Sequence, residues 1–310
     1  MRHLATAAAF GLTLALFSCA GRRAGPASYS FVDSFGSSGS GPGQLHRPAG
    51  IAIGARGEIY VADSGNQRIQ VFSAGGEFLR AWGTRGVGDG QFENPVDVAL
   101  GRDGSVYVSD FELDRVQQFT PAGRLIRRWG RTGAGPGEFD GAAGLDVSRD
   151  GQVWVADFSN HRVQLFDADG RFLVARGRKG HGLGEFNYPT DVTLRPDGTI
   201  LVADAYNHRL QALKSNGEVV PDQYDIGKSL APPLMVPTGV ALDDIGRMHV
   251  ADSGRKRAVL LSALGALEAE WKLSPDAHPE TYSPTRAAVW GKQVWYVDTS
   301  NDQVVVLAMR

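Results

Sequence analysis

Cysteine is almost absent from this chain: among 310 residues there is only Cys19. A single thiol cannot close an internal disulfide, and no partner exists for a redox or zinc motif built on cysteine pairs. An excess of one charge is also missing. The 32 Lys and Arg face 34 Asp and Glu, a formal charge of −2, so no general positive field draws the chain to nucleic acid. The apolar run at the N-terminus, Leu4 to Phe17, has 14 residues and is too short to cross a bilayer comfortably as a helix. What is abundant is glycine, with 40 residues, which favours turns over helices. With 42% hydrophobic residues the chain can still bury a sizeable core.

The short apolar run suits the core of a signal peptide, with Arg2 as its positive flank. It ends in Leu16-Phe17-Ser18-Cys19, which resembles the bacterial lipobox. That resemblance implies residues 1–18 as signal peptide, cleavage before Cys19, and acylation of Cys19, several acyl chains giving a stable anchor. Loss of the signal peptide removes Arg2 and leaves 31 basic against 34 acidic residues. Residues 19–28 then form the lipidated cysteine and a flexible tether, and residues 29–310 form the folded domain. The expected location is the cell envelope, on the periplasmic side of the outer membrane in a host with two membranes.

From Tyr29 onward one sentence is written repeatedly. "VADSGNQRIQVF", "VADFSNHRVQLF" and "VADAYNHRLQAL" begin at Val61, Val155 and Val202. The aligned aspartates are Asp63, Asp110, Asp157, Asp204, Asp252 and Asp298, spaced by 47, 47, 47, 48 and 46 residues. A period in this range signals stacked or radial repetition. Each unit reads as four short apolar or alternating runs separated by Gly, Pro, Asn and Asp turns, with no room for a helix, and this predicts a four-stranded antiparallel meander. The sixth unit ends after three runs, at Arg310. The missing fourth appears at the other end, where "YSFVDSF" aligns with "FLRAWG" of the first unit. The expectation is an all-β, six-bladed β-propeller of four-stranded antiparallel blades, closed by the N-terminal strand near Ser30 to Phe35.

The unit resembles the NHL repeat: a Gly-rich loop ending in G-x-F-x-x-P (Gly90, Phe92, Pro95), a strand ending in V-x-D (Val61, Asp63), then an N-x-R turn (Asn160, Arg162). The likeness is tight in the first four units and loose in the last two. The paired residues Asp63 and Arg68, Asp110 and Arg115, Asp157 and Arg162, Asp204 and Arg209, and Asp252 and Arg257 recur in five units. What recurs in nearly every blade serves the fold, whereas a binding site requires asymmetry. His249, aligned with Tyr60, Tyr107 and Trp154, falls at a core position.

Enzymatic relatives of this architecture set tests. Zinc-dependent amidating lyases, which resemble NHL propellers, place histidines just after the proline that opens each inner strand; here those positions are Ala49, Val96, Ala143, Thr190, Thr238 and Thr285. Six-bladed calcium lactonases gather acidic residues in the central channel. The corresponding positions supply Asp97 and Asp191 with Arg286 beside them, few ligands for an ion that takes six to eight oxygens. No nucleophile elbow is present. No cofactor and no metal are therefore expected, and catalysis is not the leading reading, although a hydrolase or lyase at the central funnel is the alternative.

The leading reading is a binding platform for a protein or envelope glycan, monomeric, touching the membrane through its lipid only. Loops on a rigid scaffold carry recognition. The candidates on one rim and at the channel mouth are Asn66, Asp97, Asn160, His161, Asp191, Tyr206, Asn207, His208 and Arg286. A second candidate is a basic sector around Arg128, Arg131, Arg178 and Lys179, which would meet an acidic protein, glycan or lipid head group.

Overall fold

The computed structural model describes residues 28–272 and 283–310. The signal segment, Cys19 and nearly all of the tether lie outside the described residues. Six antiparallel sheets are present, in chain order around a ring. Blade one consists of Gly50–Ile53, Ile59–Asp63, Arg68–Phe72 and Phe78–Trp82, and blade two of Pro95–Leu100, Val106–Asp110, Arg115–Phe119 and Leu125–Trp129. Blade three follows with Ala142–Val147, Val153–Asp157, Arg162–Phe166 and Phe172–Arg176, and blade five with Pro237–Leu242, Met248–Asp252, Arg257–Leu261 and Leu267–Trp271.

Blade six has Pro284–Trp290, Gln293–Asp298 and Gln303–Met309, and its outer strand is Tyr29–Phe35. The pairing runs from Tyr29 opposite Met309 to Phe35 opposite Val304, with a bulge between Phe31 and Asp33. The ring thus closes with the first strand of the domain zipped onto the last, as the alignment of the two chain ends predicts.

Blade four departs from the four-strand expectation. Its regular strands are Pro189–Leu194, Ile200–Asp204 and Arg209–Leu213, and the outer edge is covered only by isolated bridges, Leu213 to Val219 and Leu210 to Ile226. The reason is local: Pro221 has no N–H to give a ladder, and Asp222 turns the chain with φ of 60°.

Turn chemistry explains the sharp repeat. The second and third strands of every blade are joined through one residue in the left-handed region: Gln67, Asp114, His161, His208, Lys256 or Asp302, with φ between 49° and 59°. The core lies between blades rather than within one. Tyr60, Ile69 and Val71 of blade one, for example, pack on Val98, Val106, Val108 and Phe119 of blade two, with the loop residue Phe92 between them. Phe92, Phe139 and Phe186 are fully buried wedges of this kind, and Leu45 takes their place before blade one. On the outer strands, Trp82 and Trp129 lie against Gly123 and Gly170 of the following blade, so closely that an added Cβ would meet the indole at 2.6 and 2.7 Å.

Candidate functional site

In blades one to five an Asp and an Arg hold the blade to the loop before it. In blade three, Arg162 Nε donates to Asp157 Oδ2 at 2.7 Å, and its Nη atoms donate to the carbonyls of Ala134, Gly135 and Glu138 in the Gly-rich loop. The same carboxylate takes the backbone N–H of Asp140 and the amide of Gln164. Arg68 with Asp63, Arg209 with Asp204 and Arg257 with Asp252 repeat the pairing at 2.7 to 2.9 Å. Blade two differs. Arg115 still clamps the carbonyls of Val87, Gly88 and Gln91, while Asp110 accepts the N–H groups of Glu93, Asn94 and Leu113.

Three candidate asparagines belong to the same clamp. Asn66, Asn160 and Asn207 each donate to a loop carbonyl, of Gly39, Gly133 and Gly180, and to the aspartate of their own blade. Their amides are committed to the fold. His161 and His208 occupy the left-handed turn position. His161 is buried and accepts the N–H of Tyr188 at 3.0 Å; burial lowers its pKa, with Lys179 adding to the effect. His208 is exposed and donates to the Met235 carbonyl.

The central channel holds a buried ionic cluster. Arg286 Nε stands 3.2 Å from Asp97 Oδ1, and Arg286 Nη2 stands 3.7 Å from Asp191 Oδ1. The guanidinium also donates to the carbonyls of Thr190 and Thr238. The carboxylates are tied to backbone N–H groups of the next blades, Asp97 to Leu145 and Asp191 to Val240. Burial raises Asp97 and pushes Asp191 up to about 7, with Arg286 opposing in both cases. A third carboxylate, Asp146, accepts the N–H of Leu194 and is pushed up to about 6 by burial.

Arg286 divides the channel. Below it is a cavity of 300 Å³ lined by Asp97, Asp146, Asp191 and inner-strand aliphatic residues. Above it is an apolar mouth of 190 Å³. The threonines in that mouth turn their hydroxyls sideways: Thr190 to the Pro237 carbonyl, Thr238 to the Pro284 carbonyl, Thr285 to the Ala49 carbonyl. With the hydroxyls satisfied, what remains to line the mouth is apolar.

Aromatic rings crowd one side of this mouth. Phe111 and Phe158 have centroids 5.5 Å apart, Phe158 and Tyr188 4.8 Å, and Tyr188 and Tyr206 5.2 Å, while His161 stacks on Tyr188 at 4.5 Å. Tyr206 is 52% exposed. The arc thus runs across blades two, three and four only.

The basic sector is laced with carboxylates. Arg128 pairs with Asp89, Arg131 with Glu138 and Arg178 with Glu185, each at 2.8 to 2.9 Å. Lys179 bridges through its backbone to Phe186. The pairing of three of these four cations halts the build-up of one-sided charge.

The sequence profile of the NHL repeat matches residues 45–72, 139–166 and 186–213, each running from the wedge residue of the loop to the end of a third strand. Together with the closed ring of six sheets this settles the assignment. The chain is a six-bladed NHL-repeat propeller. Its NHL units are similar to Protein lin-41 of Caenorhabditis elegans, 48% identical over 46 residues, and to E3 ubiquitin-protein ligase TRIM71 of Rattus norvegicus, 53% identical over 47 residues. Each match covers 15% of this chain, and only 4% and 6% of those proteins. Among solved structures, the NHL ring is similar to a streptogramin B lyase (TM-score 0.63, 14% identity, 89% of this chain and 83% of that one). It is also similar to the gluconolactonase XC5397 of Xanthomonas campestris (TM-score 0.66, 15% identity, 87% and 88%). A Bacteroides thetaiotaomicron protein of unknown function gives TM-score 0.68 at 15% identity, over 92% and 76%. At these identities the likeness is one of fold.

The structure brings Asp97, Asp191 and Arg286 together, and beside them stand four residues that were not among the sequence candidates. Asp146 lies two positions further along its inner strand than the positions compared across blades. Phe111, Phe158 and Tyr188 are visible in the repeat itself, as exceptions. The residue after the aligned Asp is Ser64, Ala205, Ser253 and Thr299 in the other blades, and phenylalanine only in blades two and three.

Proposed function

We propose that this chain is a non-enzymatic binding platform that engages a protein partner through its loop face, held at the cell envelope by acylated Cys19. The observation that carries the reading is the aromatic arc, with Tyr206 exposed at its end, set on blades whose polar loop groups are committed to one another. NHL-repeat propellers commonly mediate protein interactions, which supports a protein over an envelope glycan. The ring acts as a monomer, and the lipid is its contact with the membrane.

The test is photo-crosslinking in the native host from Glu112 and Tyr206 on the loop face, with Arg102 and Asp150 at the turns of the opposite face as controls. Crosslinked protein from the first pair alone supports the platform, and equal labelling from both pairs refutes it. Cys19→Ser is expected to abolish incorporation of labelled palmitate and release the protein from membranes; retention without the label would remove the anchor. A lyase or hydrolase at the channel is the second reading, favoured by the fold shared with a streptogramin B lyase and a gluconolactonase. Turnover of a lactone or cyclic ester by the purified protein, lost in Asp191→Asn, would establish it.

A further inference from the structure

The axial mouth above Arg286 has the dimensions and chemistry of a pocket for one ring. Its 190 Å³ compares with a cavity of about 150 Å³ that suffices for benzene. A sugar and an aromatic side chain each present a single ring, and the mouth distinguishes between them. Its threonine hydroxyls and its guanidinium already have partners, so a sugar entering here would strip its own hydroxyls of water and find nothing to replace it. Nor do the flanking rings form a flat platform. Phe111 stands at 68° to Phe158, Phe158 at 38° to Tyr188 and Tyr188 at 65° to Tyr206, an inclined series that an additional ring can join edge to face.

Charge narrows the occupant further. Glu112 follows Phe111 in sequence, is exposed, and pairs with no cation among the described residues. It lines the adjoining depression of 480 Å³, where Glu93 is already paired with Arg85 and Arg47 stands among the other lining residues. A cation next to the seated ring would find the Glu112 carboxylate first.

We infer that the channel mouth seats one aromatic side chain of an extended peptide segment, with a basic residue beside it held by Glu112. This rests on the platform reading and adds the chemistry of what is bound. The ring enters beside Phe111 and Phe158, which line the mouth together with Arg286.

The probes are acetyl-Gly-Trp-Lys-amide, acetyl-Gly-Leu-Lys-amide, acetyl-Gly-Trp-Glu-amide and cellohexaose, titrated against the full propeller by ligand-observed NMR. The Trp-Lys peptide should bind about tenfold more tightly than the Leu-Lys peptide, the scale of an aromatic contact beyond simple burial. Replacing Lys by Glu should weaken it several-fold. Phe158→Ala should lower affinity about tenfold. Ala143→Leu, which fills the mouth and leaves the aromatic arc in place, should abolish binding while the melting curve stays cooperative. Equal binding of the Trp and Leu peptides, or an Ala143→Leu protein that binds as the wild type does, overturns the inference, as does displacement by cellohexaose. If loop-face crosslinking in cells survives Ala143→Leu, the ring seat falls and the platform stands; if no loop-face position crosslinks, the platform itself falls.

Discussion

Ring closure rests on one strand, and Tyr29 tests it. Tyr29 is 7% exposed at the start of the strand Tyr29–Phe35, and its hydroxyl shares a 2.5 Å hydrogen bond with Nδ1 of the fully buried His249 in blade five. The hydroxyl therefore ties the closing strand of blade six to its neighbour. Tyr29→Phe keeps the ring and leaves His249 Nδ1 without a partner, which costs about 1–3 kcal/mol. For a domain of this size each kcal/mol moves Tm by roughly 2–4 °C, so a fall of roughly 2–12 °C is expected. Phe31→Ala is the control, since Phe31 sits on the same strand but is 44% exposed, and it should move Tm far less. Hydrogen exchange adds the location: in Tyr29→Ala the amides of Gln303–Met309 should lose protection before those of blades two and three. His249 also gives the closure a pH dependence. Burial lowers its pKa below the unfolded value despite the neighbouring Asp243, so the unfolded chain takes up the proton first. Stability from the neutral ring is complete above about 6.5 and declines as pH falls below that value. A Tyr29→Phe protein that melts with the wild type would refute the tie through His249, and exchange changes in Tyr29→Ala that are spread evenly over six blades would refute closure through this strand.

The clamps and the rim should separate cleanly by burial. Arg209→Ala removes a cation that is 2% exposed and leaves the buried Asp204 carboxylate without its counter-ion, a loss of about 3–5 kcal/mol readable by urea unfolding, whereas Arg131→Ala on the rim should leave Tm unmoved. In the channel, Asp146 and Asp191 hold protons up to about 6 and about 7, well above the unfolded carboxylate value of about 4. Their stability contribution is therefore present in full below that unfolded value and is lost as pH rises through 6 to 7. Asp146→Asn should melt above the wild type at pH 8, with the advantage shrinking by pH 5; an equal gain at both would show that charge is not the cause. Arg286→Met leaves the channel carboxylates without their cation and should lower Tm at pH 8 more than at pH 5, and the reverse order would show that packing, not charge, is what Arg286 supplies.

How much of this was legible in the sequence depends on the kind of residue. The aspartate ladder, the loop phenylalanines and the "YSFVDSF" strand were readable because one geometry is imposed six times, so each copy checks the others. Asn66, Asn160 and Asn207 were misleading for the same reason. They look like rim asparagines available for recognition, yet their recurrence already marked them as clamps, and the structure places each amide on a loop carbonyl. Within the basic sector the Arg128–Asp89 pair was not legible, because the two residues meet across a distance in sequence that no local pattern encodes. Blade four's reduced outer edge was foreshadowed by Pro221, whose missing N–H breaks the ladder at the point where a fourth strand would run.

The exceptions to the repeat are therefore where function is to be sought, and they are not scattered. Phe111, Phe158, Tyr188 and Tyr206 depart from their counterparts in the other blades, and all four come together along one arc beside the axis. Arg286 departs from the Asp or Gly of its counterparts and lies on the same axis, between the mouth and the acidic cavity below. Drift on a solvated surface would place substitutions without regard to one another. Exposed or half-buried aromatic rings carry a hydration cost that a soluble ring would avoid by keeping the small residues found at Ser64, Ala205 and Ser253. That cost is offset when something covers the rings, which makes the mouth above Arg286, rather than the charged rim, the place to look for this propeller's partner.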